Sequence, residues 1–323
     1  MPTLVSLELD SHCLSAGFIN DLPYFVTANG QIQIIGRDTI ILAAHHGIAS
    51  VALSDDKQAL FTGGEDGYVY KTLFDGTSYQ LAQCERKWIT SIASGSNGSY
   101  AFASSRKAWV DIGMGLREYD FERSVEGLVF APKGQRVAIA RYNGVSLYWP
   151  ALEVEPTELA WKGAHFAVTF SPDNRFVISA MQENALHGWR LSDNQHLRMS
   201  GYPTKVKSWS WSTKGKWLAT SGAMAAIVWP FQSKDGPMGK APLELGKRAN
   251  AMVTCVSCHP EEEMVAVGYD DGMILFVRFA DAKEVLLRHP GKGAISALNW
   301  DQNGHRLAYG SEVGEAGFAD ITA

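Results

Sequence analysis

Short runs of alternating apolar and polar residues fill almost the whole chain, cut at close intervals by Gly, Asn, Asp, Ser and Pro. Residues 166–201 show the arrangement: FAVTFSPDN, RFVISAMQE, ALHGWRLSD and HLRMSG are successive runs, each bounded by turn residues. A side-chain period of two places neighbours on opposite faces of an extended strand, so each run predicts a half-buried strand. Helical periodicity is absent. Asn29-Gly30, Asp66-Gly67, Asn143-Gly144 and Asp271-Gly272 fall between the second and third strands of such groups. A two-residue hairpin needs positive φ there, which these residues adopt at least cost. Each group is therefore expected to be a four-stranded antiparallel meander.

The groups recur. Phe18, Leu53, Ala93, Phe130, Phe170, Trp211, Cys258 and Trp300 each end a first strand, at spacings of 35 to 47 residues. Trp149, Trp189 and Trp229 stand forty residues apart, late in third strands. Aromatics at a repeated strand position read as packing between adjacent sheets rather than as ligand stackers. A period near forty with four strands per unit predicts an all-β β-propeller: eight four-stranded blades, with seven as the alternative, in one domain over residues 1–323. The last group, from Ile295, has only three strands. Residues 3–9 alternate Val5, Leu7 and Leu9 with Ser6 and Glu8, so this N-terminal segment is expected to supply the missing outer strand of the last blade.

These features resemble the WD-repeat family of β-propellers. The likeness rests on Ala131-Pro132-Lys133 and Ser171-Pro172-Asp173, on Gly63-Gly64-Glu65-Asp66-Gly67 and Gly268-Tyr269-Asp270-Asp271-Gly272, and on the Trp series. It spans the chain, but the repeats are degenerate: the family's Trp-Asp dipeptide becomes Trp149-Pro150, Trp189-Arg190 and Trp229-Pro230. The usual Gly-His pair appears loosely, near His45, His165 and His289. Thr62 and Asp66 match two members of the family's buried Asp-His-Ser/Thr-Trp set, with Thr72 where the Trp would stand. The resemblance implies a non-catalytic protein-interaction module or assembly scaffold, with structural histidines at the junctions between blades.

Composition narrows the rest. The 323 residues are 46% hydrophobic and 20% charged, which suits a large core and argues against disorder. A formal charge of −5 supplies no overall attraction to nucleic acid or anionic lipid. MPTLVSLELDSHCLSAGF shows no basic leader ahead of an apolar run, and no window is long enough to span a bilayer, so a cytoplasmic protein without a membrane segment is expected. Four cysteines are too few to staple this chain and fit a reducing compartment. Cys255 and Cys258 have CxxC spacing, but positions three apart in a strand face opposite sides, which predicts structural thiols and no metal site. No nucleophile elbow, phosphate loop or paired carboxylates point to catalysis, so no cofactor is expected. An enzyme holding a cofactor in the central channel, as the quinone-dependent propellers do, is the weaker rival.

Binding is expected on loops. Arg86, Lys87, Arg123, Lys162, Lys205, Lys247, Arg248, Arg288 and Lys292 cluster at fourth-to-first-strand junctions, against Asp10, Glu85 and Glu122. The turns between second and third strands add Arg106, Lys107 and Arg141, but also Glu65, Asp66, Glu183, Asp270, Asp271, Glu312 and Glu315. Such a mixed face suits a protein or peptide partner better than nucleic acid; an anionic ligand held by the basic junctions is the alternative. Trp88, Tyr142, Trp161 and Tyr202 lie in or beside these loops and, interleaved with cations, complete the candidate contact set. Residues 232–242, rich in Gly and Pro, are expected to be a mobile loop at the opposite end.

Overall fold

The computed structural model describes residues 3–85 and 87–322. Arg86, one of the candidate binding residues, lies outside them. Thirty strands occur among the described residues, and the one helical turn is a 3-10 turn at Ser96–Gly98. The N-terminal strand is β1 (Thr3–Glu8), followed by β2 (Cys13–Ile19), β3 (Leu22–Thr27), β4 (Gln31–Ile35) and β5 (Thr39–Ala43). Next come β6 (Ile48–Leu53), β7 (Ala59–Gly64), β8 (Tyr68–Leu73) and β9 (Ser78–Gln83). A third group is β10 (Ser91–Ser94), β11 (Tyr100–Ser104), β12 (Lys107–Asp111) and β13 (Arg117–Asp120). Six strands follow: β14 (Val125–Phe130), β15 (Val137–Tyr148), β16 (Thr157–Phe170), β17 (Phe176–Met181), β18 (Ala185–Arg190) and β19 (Gln195–Met199). Then come β20 (Trp209–Trp211), β21 (Trp217–Thr220), β22 (Ala226–Pro230), β23 (Leu243–Leu245), β24 (Val253–Cys258), β25 (Met264–Tyr269), β26 (Ile274–Arg278) and β27 (Glu284–Arg288). The chain ends with β28 (Ile295–Trp300), β29 (Arg306–Ser311) and β30 (Glu315–Asp320).

All eight expected first strands are present, but they do not found eight sheets. Hydrogen bonding gives seven: six of four strands, and one of six running β14 to β19 in order. This corrects the expectation of eight separate blades in favour of the alternative count. The cause is the continuity of β15 and β16, which carry the ladder across two sequence groups. Val137–Arg141 of β15 pairs with β14 and its Gly144–Leu147 with β16, while His165–Phe170 of β16 pairs with β17. The register slips at Tyr142/Gly144 and at His165/Ala167, beside Asn143 (φ 67°), Gly144 (φ 141°) and Gly163 (φ 127°).

The segment 3–9 behaves as expected. β1 pairs antiparallel with β30, from Thr3 opposite Asp320 to Glu8 opposite Glu315, and lies outermost in the order β1-β30-β29-β28.

The chain divides into two compact units, residues 28–198 and residues 1–27 with 199–323, the division falling after β3. In the first, β6 packs on β10 and β10 on β14. Phe130, Val137 and Ile139 bury there against Ala101, Ala103 and Val110. In the second, β20 packs on β24, β24 on β28 and β28 on β2. Ala219, Val228 and Leu245 bury there against Val253, Val265, Tyr269 and Val277. Each large side chain removed from water in these layers contributes about 1.5–3 kcal/mol.

The periodic tryptophans belong to this packing. Trp189 is fully buried with Ala138, Val145, Leu159 and Val168, Trp229 is buried, and Trp149 is half-buried against the same cluster as Trp189. Cys255 and Cys258, both on β24, enter different clusters, one with Ile295 and Leu298, the other with Val256 and Val265. Burial pushes the Cys258 thiol up to about 12, which suits a packing role. Residues 232–242 are organised by turns rather than left free of contacts: Gly236 N donates to Ser233 O at 3.1 Å and Lys240 N to Pro237 O at 3.1 Å.

Candidate functional site: the junction loops

One end of each meander collects two kinds of loop, the turn between second and third strands and the junction that enters the first strand. Contacts between them recur along the chain with changing chemistry. After β5, His45 is buried with Nδ1 3.0 Å from Asp66 Oδ1 and Nε2 2.9 Å from Thr62 Oγ1. An ionised carboxylate only accepts, so Nδ1 carries a proton. Tyr70 stands edge-on to the ring at 5.1 Å, whereas Thr72 bonds Ser78 instead. At the start of the next long ladder, His165 Nε2 lies 2.9 Å from Trp161 O and Nδ1 2.7 Å from Ser179 Oγ. Burial lowers the His165 pKa, so the neutral ring donates through Nε2 and accepts from the Ser179 hydroxyl.

Other groups replace the histidine. Tyr202 donates to Thr220 Oγ1 (2.7 Å) and accepts from Trp229 Nε1 (2.6 Å), and burial pushes its hydroxyl up to about 12. Before β24, the Arg248 guanidinium lies 4.9 Å over Tyr269 and pairs with Asp271 at 2.7 Å, while the Tyr269 hydroxyl donates to Gly246 O. Before β28, Arg288 lies 5.5 Å over Tyr309 and pairs with Glu315 at 2.5 Å. Each contact fastens a junction to the turn or second strand it crosses.

Several candidate binding residues are therefore occupied. Tyr202 is core, because its hydroxyl chain is satisfied only from a buried position. Arg248 and Arg288 are latches. Arg141 bonds Ser146 Oγ at 2.8 Å and pairs with Glu158. Lys107 pairs with Glu118 and Asp120, and Lys247 with Glu244 at 2.8 Å. Trp161 is half-buried, stacked on His187 at 3.9 Å.

What remains free is smaller. Among the described residues, Lys87, Arg106, Lys162 and Lys205 are exposed and form no ion pair, and Trp88 is 55% and Tyr142 45% exposed. Burial raises the Cys84 pKa, and the charges of Lys87, Glu118 and Lys107 also act on that thiol. Arg123 lies 5.8 Å over the Tyr142 ring at a cavity of about 210 Å³ that Glu126, His165, Phe166 and Gln182 also line. Nothing in the pattern of the sequence announced that cavity, since its walls come from four separate segments of the chain. Among the described residues, no group of three or more His, Cys, Asp or Glu is placed to hold a metal ion.

The profile of the family "WD domain, G-beta repeat" matches residues 36–70 and 244–276. Two segments of the chain thus match WD repeats. Both matched segments contain a latch: His45, Thr62, Asp66 and Tyr70 in one, Arg248, Tyr269 and Asp271 in the other. Among curated proteins, the chain is 24% identical over 84% of its length to human Striatin-4 and 23% identical over 85% to Telomerase protein component 1 of Rattus norvegicus. It is 22% identical over 49% of its length to Transcription initiation factor TFIID subunit 5 of Caenorhabditis elegans. The chain spans only 35%, 11% and 24% of these proteins, respectively. Among solved structures, the computationally designed Ika8 protein superposes with a TM-score of 0.77 over 99% of this chain and all of that one, at 19% identity. Among the described residues, no helix is long and apolar enough to cross a membrane.

Proposed function

We propose that the chain is a non-catalytic protein-interaction module, a single propeller acting in the cytoplasm, that binds a protein partner through its junction loops. The observation that carries this reading is Trp88, a large aromatic left 55% exposed beside the unpaired Lys87, on a face where neighbouring cations are already neutralised. Exposed Trp, Tyr and Arg side chains held on rigid elements are the usual anchors of protein interfaces. Internal pairing of Lys107, Arg141, Lys247, Arg248 and Arg288 removes part of the charge that a phosphate backbone would need, which favours a protein partner over nucleic acid. TFIID subunit 5 is by its name part of an assembly, and membership of an assembly is the role proposed for this chain.

The test is affinity capture with the intact chain, followed by replacement of Arg86, Lys87 and Trp88 together by Ala. A stoichiometric protein whose affinity drops about tenfold or more on replacement supports the reading. Recovery of nucleic acid alone, with steep salt dependence, would replace it.

A further inference from the structure

The opposite end of two adjacent meanders, within residues 28–198, carries a second feature that the junction loops do not explain. The loop from β12 to β13 exposes Met114 (78%) and Leu116 (43%), and the loop from β15 to β16 exposes Leu152 (52%) and Val154 (54%). The two loops are fastened side by side. Arg117 Nη1 donates to Pro150 O at 2.9 Å and to Leu152 O at 2.8 Å, and Tyr119 rests on Tyr148 at 4.3 Å beneath them. The first loop is also held from within: Asp111 Oδ1 accepts from Gly113 N (2.7 Å) and Gly115 N (3.2 Å), both glycines having positive φ. A Cβ on either glycine would meet nothing within 4 Å, so the loop stands clear of the body. Four large apolar side chains are thus displayed on a backbone already ordered for contact.

The charged side chains of the loop that carries Leu152 and Val154 are all acidic. Arg117 is spent on carbonyls, Asp111 on amides, Glu118 on Lys107 and Glu158 on Arg141. Glu153 and Glu155, in the same loop as Leu152 and Val154, are exposed and form no ion pair among the described residues. A second copy of the chain would bring these carboxylates against their own kind, and an anionic lipid surface would be repelled as well. We propose that Met114, Leu116, Leu152 and Val154, rimmed by Glu153 and Glu155, form a docking surface for a segment of a partner protein in which apolar side chains are flanked by Lys or Arg. The surface is separate from the Trp88 face and does not depend on it.

Two short amidated peptides, one alternating Leu with Lys and the other Leu with Glu, serve as probes against the full chain, with binding read by fluorescence anisotropy. The Leu/Lys peptide is expected to bind at least about tenfold more tightly than the Leu/Glu peptide. Met114→Ser with Leu152→Ser should weaken it about tenfold. Glu153→Gln with Glu155→Gln should weaken it about threefold at low salt and less at high salt. Trp88→Ala should leave it unchanged, so failure here is distinguishable from failure of the junction-loop reading. In a methionine-methyl NMR spectrum, the Met114 signal, assigned by its absence in Met114→Leu, should shift on titration. All substituted side chains are exposed, and thermal unfolding checks that the variants are folded. Equal affinity for the two peptides, an unmoved Met114 signal, or a wild-type dimer that Met114→Ser with Leu152→Ser dissolves would overturn the proposal.

Discussion

The two segments that match the family profile solve one problem with different chemistry. In residues 36–70 the junction is held by His45, enclosed between Asp66 and Thr62, with side-chain exposures of 0% for His45 and 13% for Asp66. In residues 244–276 it is held by Arg248 lying over Tyr269 and paired with Asp271, at exposures of 28% and 33%. The glycines of the two turns beneath have nearly the same φ, 84° at Gly67 and 83° at Gly272. An added Cβ would strike Cys84 O at 2.1 Å in one and Arg288 Nη1 at 2.9 Å in the other. The Asp-Gly turn conserves a position for a carboxylate; burial then decides whether an imidazole or a guanidinium answers it. A buried pair gains more from each hydrogen bond and loses more when one partner goes, whereas a half-exposed pair is screened and adaptable.

In acid, the buried histidines around the His165 junction should set that region apart from the arginine latches most strongly. Burial, with His196, His165 and Arg198 adding, pushes His187 down to about 3, and burial also lowers His165. The unfolded chain protonates these rings near the ordinary histidine value while the folded chain resists, so stability is present above that value and is lost as pH falls through it towards 3. The loss between pH 7 and pH 4 is expected to be on the order of 3 kcal/mol, measured by denaturant titration, and His187→Gln should flatten it. An unchanged slope in that variant would place the titration elsewhere.

Asp66→Ala should cost about 2–3 kcal/mol by strand-buried desolvation of the His45 donor. A cost under about 1 kcal/mol would mean that the imidazole finds another acceptor. The arginine latch should be weaker. A double-mutant cycle on Arg248→Met and Asp271→Asn should give a coupling of about 0.5–1 kcal/mol that shrinks with added salt, and Tyr269→Phe should cost about 1 kcal/mol. Coupling that ignores salt would make this latch as enclosed as the His45 one. Smallest of all, Trp88→Ala should move stability by no more than about 0.5 kcal/mol, because the ring is mostly in water; a larger change would show it to be structural.

The strands, the hairpin turns and the pairing of the N-terminal segment were legible because each depends on local alternation or on a local turn. The carboxylate at 66 was legible for the same reason, and so was the separation of Cys255 from Cys258. Burial of Tyr202 was not, since its aromatic ring beside a loop reads equally well as surface or core until Thr220 and Trp229 are brought to it. Nor was the pairing of Arg248 and Arg288, whose partners lie 23 and 27 residues away in sequence. The patch at Met114 and Leu152 escaped because scattered apolar residues in separate loops show no period.

Residue order by itself determined the repeat and its all-β character, because a period of two and an Asn/Asp-Gly turn are properties of a few adjacent residues. Tertiary structure alone decided how those strands are shared among sheets. The first-to-second-strand ladder slips at equivalent places, Cys13/Ser15, Ile48/Ser50, Val125/Gly127, His165/Ala167, Val253/Cys255 and Ile295/Ala297. Such a bulge leaves no mark on composition, since it is set by the partner strand rather than by the residue that carries it. The same holds for β15 and β16, where eight first strands became seven sheets: hydrogen bonds are made between segments, and their continuity is a fact about the pair.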